Sequence, residues 1–270
     1  MQIDDFVMLG KTVPEPSKDG RIFVCSAGYS QTLRSLIRIY PLAKYAAPKT
    51  WSISTVRLER NPRDSRQESF QLAADRRPGV HNDINRKAFE THDMVPRSQR
   101  AELLRRAAFA SIEAAEERVP GYGRNKTSLA ILHARDYELT FDHNPESPDS
   151  PVLALFDRPD GIVPTGARRF PYTPRLRFRD GCVRCVAGGD GHHLMLREWG
   201  TYERIRKENN LTQMSEAQRR SYISDALHLD PTCSLLVGNL NNQPNAWLVI
   251  SVLHGLRPAP SLLDELVGAA

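Results

Sequence analysis

The run Trp51-Ser-Ile-Ser-Thr-Val-Arg-Leu-Glu59 carries the pattern that decides the fold. It is rich in β-branched and aromatic residues, which favour β-strands over helices. Two earlier runs, Arg21–Cys25 and Ser35–Tyr40, have the same character. The first part of the chain is therefore predicted to consist mainly of short strands.

The apolar residues of this run change sides part-way along it. Trp51 and Ile53 share one parity, whereas Val56 and Leu58 share the other. A shift of one residue inside a strand indicates a β-bulge, here near Ser54-Thr55. Because bulges bend strands, the pattern favours a barrel-like sheet over a flat one.

The clearest helix is predicted over Arg97–Val119. Pro120-Gly121 would end it, because neither residue continues a helix well. Apolar residues recur there at helical spacing and define one buried face. The residues of that face are Leu104, Ala108, Ile112, Ala115 and Val119.

The remaining elements alternate between strands and helices, which is typical of an α+β protein. We predict a bulged, barrel-like, mostly antiparallel sheet with three or four helices. One α+β domain is expected over 1–270, with a proline-rich insertion at about 143–174. The other predicted elements are strands at Ser128–His133, Tyr137–Asp142, Ser234–Gly238 and Ala246–His254, a helix from Glu198 to about Asn210, and a helix opened by a capping box at Ser215.

The composition is that of a globular chain with a clustered basic excess. The chain has 270 residues, of which 40% are hydrophobic and 26% charged, and its formal net charge is +5. Arginines concentrate between Arg34 and Arg66 and again between Arg168 and Arg184. Since the guanidinium fork suits phosphate, we expect a nucleic-acid partner, with a solvated basic face as the alternative.

The sequence predicts neither a membrane span nor a secretion signal. The longest apolar runs, such as Ala246–Leu253, are far shorter than a bilayer span. Asp4 and Asp5 follow Met1 where a signal segment would be apolar. Four cysteines in a chain of this size do not make a disulfide framework. We expect a cytoplasmic monomer.

Two carboxylates lie among three arginines after the third predicted strand. Asp64 and Glu68 alternate with Arg60, Arg63 and Arg66. A carboxylate held among arginines stays ionised at neutral pH, so it could activate water or stabilise a sugar cation as a base departs. The alternative is a structural ion-pair network that fixes the loop.

Cys182-Val-Arg-Cys185 begins a stretch that also contains His192 and His193. Thiolates and imidazoles suit zinc, and zinc sites often begin with this cysteine spacing. A fourth ligand, Cys233 or a carboxylate, would have to come from tertiary contact. Because one such pair is weak evidence, no metal and no cofactor is predicted. If a metal were bound, its ligands would be Cys182, Cys185 and His192.

These motifs together resemble an uncharacterised family of stand-alone bacterial proteins. Gln67 replaces a proline of the family pattern, and the spacer between Cys185 and His192 is longer here. The matching motifs, in chain order, are Ala27-Gly28, Leu36-Ile37-Arg38-Ile39-Tyr40-Pro41, Lys44-Tyr45, Asp64-Ser65-Arg66-Gln67-Glu68-Ser69, Thr127-Ser128-Leu129-Ala130, Cys182 to Cys185, Gly191-His192, Arg197-Glu198-Trp199 and Val237-Gly238-Asn239.

Some proteins of this kind are similar to anti-phage glycosylases that excise a bulky modified cytosine. The resemblance therefore implies a DNA glycosylase acting on double-stranded, base-modified phage DNA. Asp64 or Glu68 would be the catalytic carboxylate. Arginines would contact phosphates, aromatic rings would stack on bases, and an amide would read a base edge. The predicted DNA-binding residues are Arg38, Tyr40, Arg63, Arg66, Phe170, Arg175, Arg177, His192 and Asn239.

Two other functions fit the same residues. One is a non-catalytic reader of modified nucleic acid. The other is a metal-dependent nuclease that uses Asp64 and Glu68 as cation ligands. Abasic sites without strand breaks would indicate the glycosylase, binding without chemistry the reader, and strand cleavage sensitive to EDTA the nuclease.

Overall fold

The computed structural model describes residues 1–16, 22–43, 46–73, 88–117, 127–143, 172–207, 213–241 and 243–255. These residues form two sheets and five helices. The predicted fold class, α+β with a bulged, barrel-like and mostly antiparallel sheet, is confirmed. A single domain over 1–270 stays a prediction.

The first sheet contains a closed barrel of five strands. The barrel order is β1-β3-β4-β6-β5, and β5 pairs back with β1. Its neighbours are antiparallel except β4 and β6. The strands of this sheet are β1 (Gln2–Lys11), β2 (Glu15–Pro16), β3 (Ile22–Ser30), β4 (Ser35–Ala43), β5 (Ser52–Arg60), β6 (Ser69–Leu72) and β7 (Phe89–Met94).

The bulge predicted in β5 lies instead in the paired strand β7, where His92 is the extra residue between the partners of Ile53 and Ser54. The register between β5 and β7 shifts between Ile53 and Ser54. On one side of β5, Ile53 packs against the core shared with the second sheet, which also contains Trp51 just before the strand. On the other side, Val56 and Leu58 pack with β1 and β4 residues in a separate core cluster. The change of parity in the sequence therefore marks a strand with two buried faces.

Gly28 allows β1 and β3 to approach closely in the barrel. A Cβ atom at Gly28 would lie 2.4 Å from Cζ of Phe6 and 2.4 Å from the carbonyl oxygen of Val7. The Phe6 ring occupies the space that a side chain at residue 28 would need. The Ala27-Gly28 step of the sequence thus has a packing reason.

The second sheet has the order β10-β11-β12-β14-β13-β9-β8. Its strands are β8 (Ala108–Phe109), β9 (Leu129–His133), β10 (Arg135–His143), β11 (Tyr172–Arg179), β12 (His192–Leu196), β13 (Cys233–Leu240) and β14 (Gln243–His254). The helices are α1 (Arg97–Ala107), α2 (Ile112–Glu117), α3 (Val183–Val186), α4 (Trp199–Lys207) and α5 (Glu216–Leu227).

The second sheet is buried on both faces. Leu129 and Ile131 of β9 face a core shared with the barrel and α1. Ala130 and Leu132, on the other face, pack with residues of α2, α4 and α5. The barrel, the second sheet and these three helices therefore form successive layers. Burial on both faces explains why β9, β13 and β14 are apolar without alternation.

The single helix predicted over Arg97–Val119 is wrong. The chain leaves the helix after Ala107, and Ala108–Phe109 pairs in parallel with Ile131 and Leu132 of β9. A second helix starts at Ile112, where the Ser111 hydroxyl accepts a hydrogen bond from the N–H of Ala114. Pairing at the edge of the sheet outweighs the helical spacing of the apolar residues. Together with the short α3, this break gives five described helices where three or four were predicted.

The capping box at Ser215 is confirmed, since Ser215 and Gln218 bond to each other's backbone N–H groups. Most of the insertion predicted at about 143–174 lies outside the described residues, and β11 already begins at Tyr172. Within the described residues, no helix combines the length and the apolar character needed to cross a membrane.

Candidate functional site

Asp64 and Arg66 form a buried ion pair in the loop between β5 and β6. Arg66 Nε donates to Asp64 Oδ1 at 2.8 Å, and Arg66 Nη2 donates to Oδ2 at 2.5 Å. The Ser69 hydroxyl donates to the same Oδ2 at 2.7 Å. The side chains of Asp64 and Arg66 are only 7% and 11% exposed. Both carboxylate oxygens of Asp64 are therefore engaged inside the protein.

These contacts keep Asp64 ionised. Burial alone would raise the pKa of Asp64, but hydrogen bonds from Arg66 and Ser69, with the Arg66 charge, outweigh it and hold the pKa below its usual value. An ionised carboxylate was expected at this position. Its saturated oxygens fit the structural ion-pair alternative better than a role in activating water.

Arg66 and Asn239 bind each other rather than facing solvent. Arg66 Nη1 donates to the carbonyl oxygen and to Oδ1 of Asn239, each at 3.0 Å. Asn239 is buried at the end of β13, and its N–H donates to the carbonyl of Ser128. The predicted DNA contacts of Arg66 and Asn239 are not supported by this geometry, because their polar groups serve the junction between barrel and second sheet.

Arg38 is also buried in this junction, which corrects its prediction as a phosphate contact. Its Nη2 donates to the carbonyl oxygen of Ser128 at 2.7 Å and to the Ser128 hydroxyl at 3.2 Å. Nη1 lies 3.1 Å from Cys25 Sγ. The Arg38 residue is 6% exposed. A guanidinium enclosed in this way joins β4 to the segment before β9 and does not reach a nucleic acid.

Glu68 meets the same Ser128 from the other side. The N–H of Ser128 donates to Glu68 Oε1, and the Glu68 backbone carbonyl accepts from the N–H of Arg38 at 2.7 Å. Within the described residues, the bond from Ser128 N–H is the one hydrogen bond that the Glu68 carboxylate makes. Glu68 is buried and lines a cleft. Of the four carboxylate oxygens of Asp64 and Glu68, the second oxygen of Glu68 is therefore the one that remains to bind a ligand.

The cleft has a volume of about 1190 Å³ and lies between the barrel, α1 and the start of β9. Ligand pockets typically measure roughly 300–1,000 Å³, so this cleft accommodates a large ligand. Its lining is mainly polar and carries three amide side chains and two aromatic rings. The residues most relevant to binding are Glu68, Tyr29, Phe109, Gln31, Gln67 and Gln99.

Two arginines lie at the cleft. Arg34 lies in the turn between β3 and β4, is exposed, and has no ion pair among the described residues. Arg106 of α1 pairs with Glu102, Nε to Oε1, at 2.7 Å. Hydrogen bonds from Arg106 and Arg105 hold the pKa of Glu102 below its usual value. A negatively charged ligand would therefore meet Arg34 first.

Several predicted DNA-binding residues lie outside the cleft lining. Tyr40 and Arg63 are exposed, and Arg63 bonds through its carbonyl to Asn241 Nδ2 at 3.2 Å. On β11, Arg175 is hydrogen-bonded to Asp142, and Arg177 lies 3.7 Å from Glu138. The DNA contacts of these four residues stay predictions. Phe170 lies outside the described residues.

His192 is buried, so the predicted contact of this side chain with DNA is not supported. It is the first residue of β12, and it lies against Phe178 with 5.3 Å between ring centres. The neighbouring His193 points to the opposite face of the strand and is exposed. Alternation along β12 therefore places His192 inside and His193 outside.

The structure brings His192 together with Asp180, Cys182 and Cys185. All four are buried, and their candidate ligand atoms lie within 4.8 Å of one another. Cys182 Sγ is 3.6 Å from His192 Nε2, and Asp180 Oδ1 is 3.0 Å from the same nitrogen. Cys233, the other ligand considered, lies elsewhere, with its Sγ 3.4 Å from His254 Nδ1. Asp180 is the carboxylate that the sequence left unidentified.

Burial affects the two ends of this cluster differently. Burial alone would raise the pKa of Asp180, but hydrogen bonds from His192 and from the backbone N–H groups of Cys182 and Ile112 hold it well below its usual value. Burial raises the pKa of the Cys182 thiol to about 11. Asp180 is therefore anionic at neutral pH, whereas Cys182 needs a neighbouring cation to become a thiolate.

In the comparisons with known proteins, one family model matches part of the chain. A family model described as a domain of unknown function, DUF8758, matches residues 2–105. This match takes in the whole barrel and ends inside α1, so it includes Glu68 but not Ser128. No curated protein and no solved structure matches the chain.

Sequence reasoning missed two residues of these sites. Ser128 bonds to Glu68, Arg38 and Asn239 across the junction, but a serine before a strand carries no distinctive pattern. Asp180 had a usable signal, because it follows a run of alternating residues and precedes Cys182 by two positions. That spacing allows Asp180 to share a turn with the cysteine pair.

Proposed function

We propose that the protein is a DNA glycosylase that excises a bulky modified base from phage DNA as a defence activity. The observation that carries this proposal is the buried Glu68 carboxylate in the lining of a wide polar cleft. Its Oε1 is held by the Ser128 N–H, and Oε2 is the oxygen assigned to the reaction. Of the two carboxylates predicted, Glu68 is thus the one proposed to act.

The chemistry requires a fixed negative charge beside the sugar. As the bond between C1′ and the base nitrogen breaks, positive charge develops on the sugar, and a fixed carboxylate lowers that barrier. Glu68 would then take the proton of the water whose oxygen bonds to C1′. Transfer of that proton from Glu68 to the departing base restores the carboxylate, so the products are the free base and an abasic site.

The cleft lining supports recognition of an extruded base. The partly buried Phe109 supplies aromatic surface for stacking, and Gln31, Gln67 and Gln99 supply donors and acceptors for a base edge. A volume of about 1190 Å³ leaves room for a substituent larger than a methyl group. The proposed partner is therefore double-stranded DNA with a bulky modified base.

The metal-dependent nuclease is less well supported than the glycosylase. Both oxygens of Asp64 are bonded to Arg66 or Ser69, so Asp64 has no lone pair directed at a cation beside Glu68.

All four cysteines are free thiols, which fits the reducing cytoplasm as the proposed compartment.

The deciding experiment incubates the protein with phage DNA that carries a bulky modified cytosine and with the same DNA unmodified. We expect abasic sites in the modified DNA, detected by an aldehyde-reactive probe, and free modified base in equal amount. No strand break should appear before alkali treatment. Binding without base release would instead establish a non-catalytic reader of modified nucleic acid. Strand cleavage that EDTA abolishes would establish a metal-dependent nuclease.

Exposed arginines are expected to control the salt dependence of DNA binding. Arg34→Ala and Arg63→Ala should each reduce the slope of log affinity against log salt by about 1, if each side chain neutralises one phosphate. Arg220→Ala is the control, because Arg220 already lies near the carboxylates of Glu138 and Glu216. Slopes equal to that of the unmodified protein in both variants would remove Arg34 and Arg63 from the interface.

A further inference from the structure

We infer that Asp180, Cys182, Cys185 and His192 form a structural zinc site. The sequence alone did not predict a metal, since one cysteine pair is weak evidence. The structure adds a buried imidazole and a buried carboxylate to that pair. Two sulfur ligands, one nitrogen and one oxygen make four donors contributed entirely by protein, which is the ligand number of a structural zinc site.

Two of the separations between ligand atoms can be compared with those of a tetrahedral centre, and all four atoms lie within 4.8 Å of one another. Zinc–sulfur bonds of about 2.3 Å and zinc–nitrogen bonds of about 2.0–2.1 Å at tetrahedral angles separate the two ligand atoms by about 3.5 Å. The observed separation between Cys182 Sγ and His192 Nε2 is 3.6 Å. The 3.0 Å between Asp180 Oδ1 and His192 Nε2 lets both atoms bind one ion after a small outward movement.

The backbone around the cluster is arranged for thiolate ligands. The N–H of Cys185 donates to Cys182 Sγ at 3.3 Å, and such a bond stabilises a negatively charged sulfur. The N–H groups of Cys182 and Ile112 donate to the two oxygens of Asp180 and fix its orientation. Partners of this kind orient ligands in metal sites.

Thiolate and imidazole donors determine which metal is expected. Magnesium, calcium and manganese prefer oxygen ligands, whereas a set with two sulfurs and one nitrogen suits zinc. Bound as two thiolates and one carboxylate, the ligands would carry three negative charges, which a divalent cation offsets in a buried position. The four ligands leave no open position, so the ion would stabilise the fold and take no part in a reaction.

The location indicates what the ion would hold together. Asp180 follows β11, Cys182 caps the single turn of α3, which contains Cys185, and His192 opens β12. Phe178 and His192 are partners in the pairing of β11 with β12. Through Asp180, the site also contacts Ile112 at the start of α2. One ion would therefore fix a long hairpin connection and the adjoining helix.

Elemental analysis of the unmodified protein, purified without chelators, is the first test. We expect about one zinc per chain. The protein is then stripped of metal and titrated with Co²⁺, which should give the absorption bands of a tetrahedral cobalt–thiolate centre at one equivalent. Zinc should displace the cobalt. These measurements need no variant and do not depend on the proposed glycosylase activity.

Variants locate the site. Cys185→Ser should lose the cobalt–thiolate spectrum, and Asp180→Asn should weaken Co²⁺ binding roughly tenfold or more, since even outer-shell partners cost about 10–100-fold in affinity. Cys25→Ser, which changes a cysteine outside the cluster, should keep the full metal content. Less than a tenth of an equivalent of zinc together with no cobalt spectrum in the unmodified protein would overturn the inference. Full metal binding by folded Cys185→Ser would do the same.

Discussion

Glu68→Gln is expected to lower the rate of base release by about a hundredfold or more, while the protein still folds and binds modified DNA. Glutamine keeps the shape of the side chain, and its carbonyl oxygen can still accept the hydrogen bond from Ser128 N–H. What is lost is the negative charge that faces the developing sugar cation. Single-turnover release of the modified base, measured with enzyme in excess, reports this step directly.

Glu59→Gln is the matched control for this prediction. Glu59 is a half-buried glutamate of β5 that accepts a hydrogen bond from Gln71 at 2.7 Å, and it does not line the cleft. Its rate should stay within a few-fold of the unmodified protein. If Glu68→Gln releases base at the full rate, the carboxylate is structural and Glu68 has no part in the chemistry.

Asp64→Asn is expected to destabilise the fold by about 3 kcal/mol at neutral pH, because removing one partner of a buried ion pair leaves the other charge uncompensated. Arg66 is the charge left behind, with one end still bonded to Asn239. Urea unfolding at constant temperature measures the change in the free energy of unfolding. Under conditions where the variant is folded, its rate of base release should change far less than that of Glu68→Gln.

The pH dependence of this difference has a definite sign. The pKa of Asp64 is lower in the folded protein than in the unfolded chain. Its contribution to stability is therefore present above the unfolded pKa, about 3.9, and is lost as the pH falls through the folded value. The gap between the unmodified protein and Asp64→Asn should shrink below about pH 4. A gap that is constant down to pH 2 would contradict the ion-pair explanation.

An exposed ion pair provides the control for stability. Glu216 and Arg220 are four residues apart on α5, with 59% and 41% of their side chains exposed. Glu216→Gln should cost about 0.5 kcal/mol, since exposed pairs contribute little. A loss of similar size in Asp64→Asn would mean that the buried pair adds no more than a surface pair.

Local sequence pattern predicted three strands of the barrel and four of the second sheet, but not the elements that depend on distant partners. The runs at Ser35–Tyr40 and Trp51–Glu59 are strands, but the change of parity placed the bulge in β5, whereas the extra residue, His92, belongs to β7. The helix over Arg97–Val119 failed because a two-residue edge strand depends on β9, which is distant in sequence. Spacing within a window carries no information about such a partner.

The candidate site was predictable only in part, because neighbours in the sequence were found but contacts with distant residues were not. Asp64 and Glu68 are four residues apart and share a loop, so the sequence placed both near the site. Which one faces a cleft depends on Ser128, about sixty residues away, and on Asn239, which is more distant still. Arg38 shows the same limit, because its burial follows from tertiary contact with Ser128 and not from any feature of β4.

Because Ser128 N–H bonds to Glu68, the proposed reaction depends on the contact between the barrel and the second sheet. The barrel supplies the Glu68 carboxylate, and the segment before β9 supplies the N–H that aims it. The region matched by DUF8758 ends before Ser128, so the match includes the Glu68 carboxylate of this chain but not the N–H that bonds to it. A change in how the second sheet packs against the barrel is therefore expected to alter the proposed reaction even when every residue of the barrel is kept.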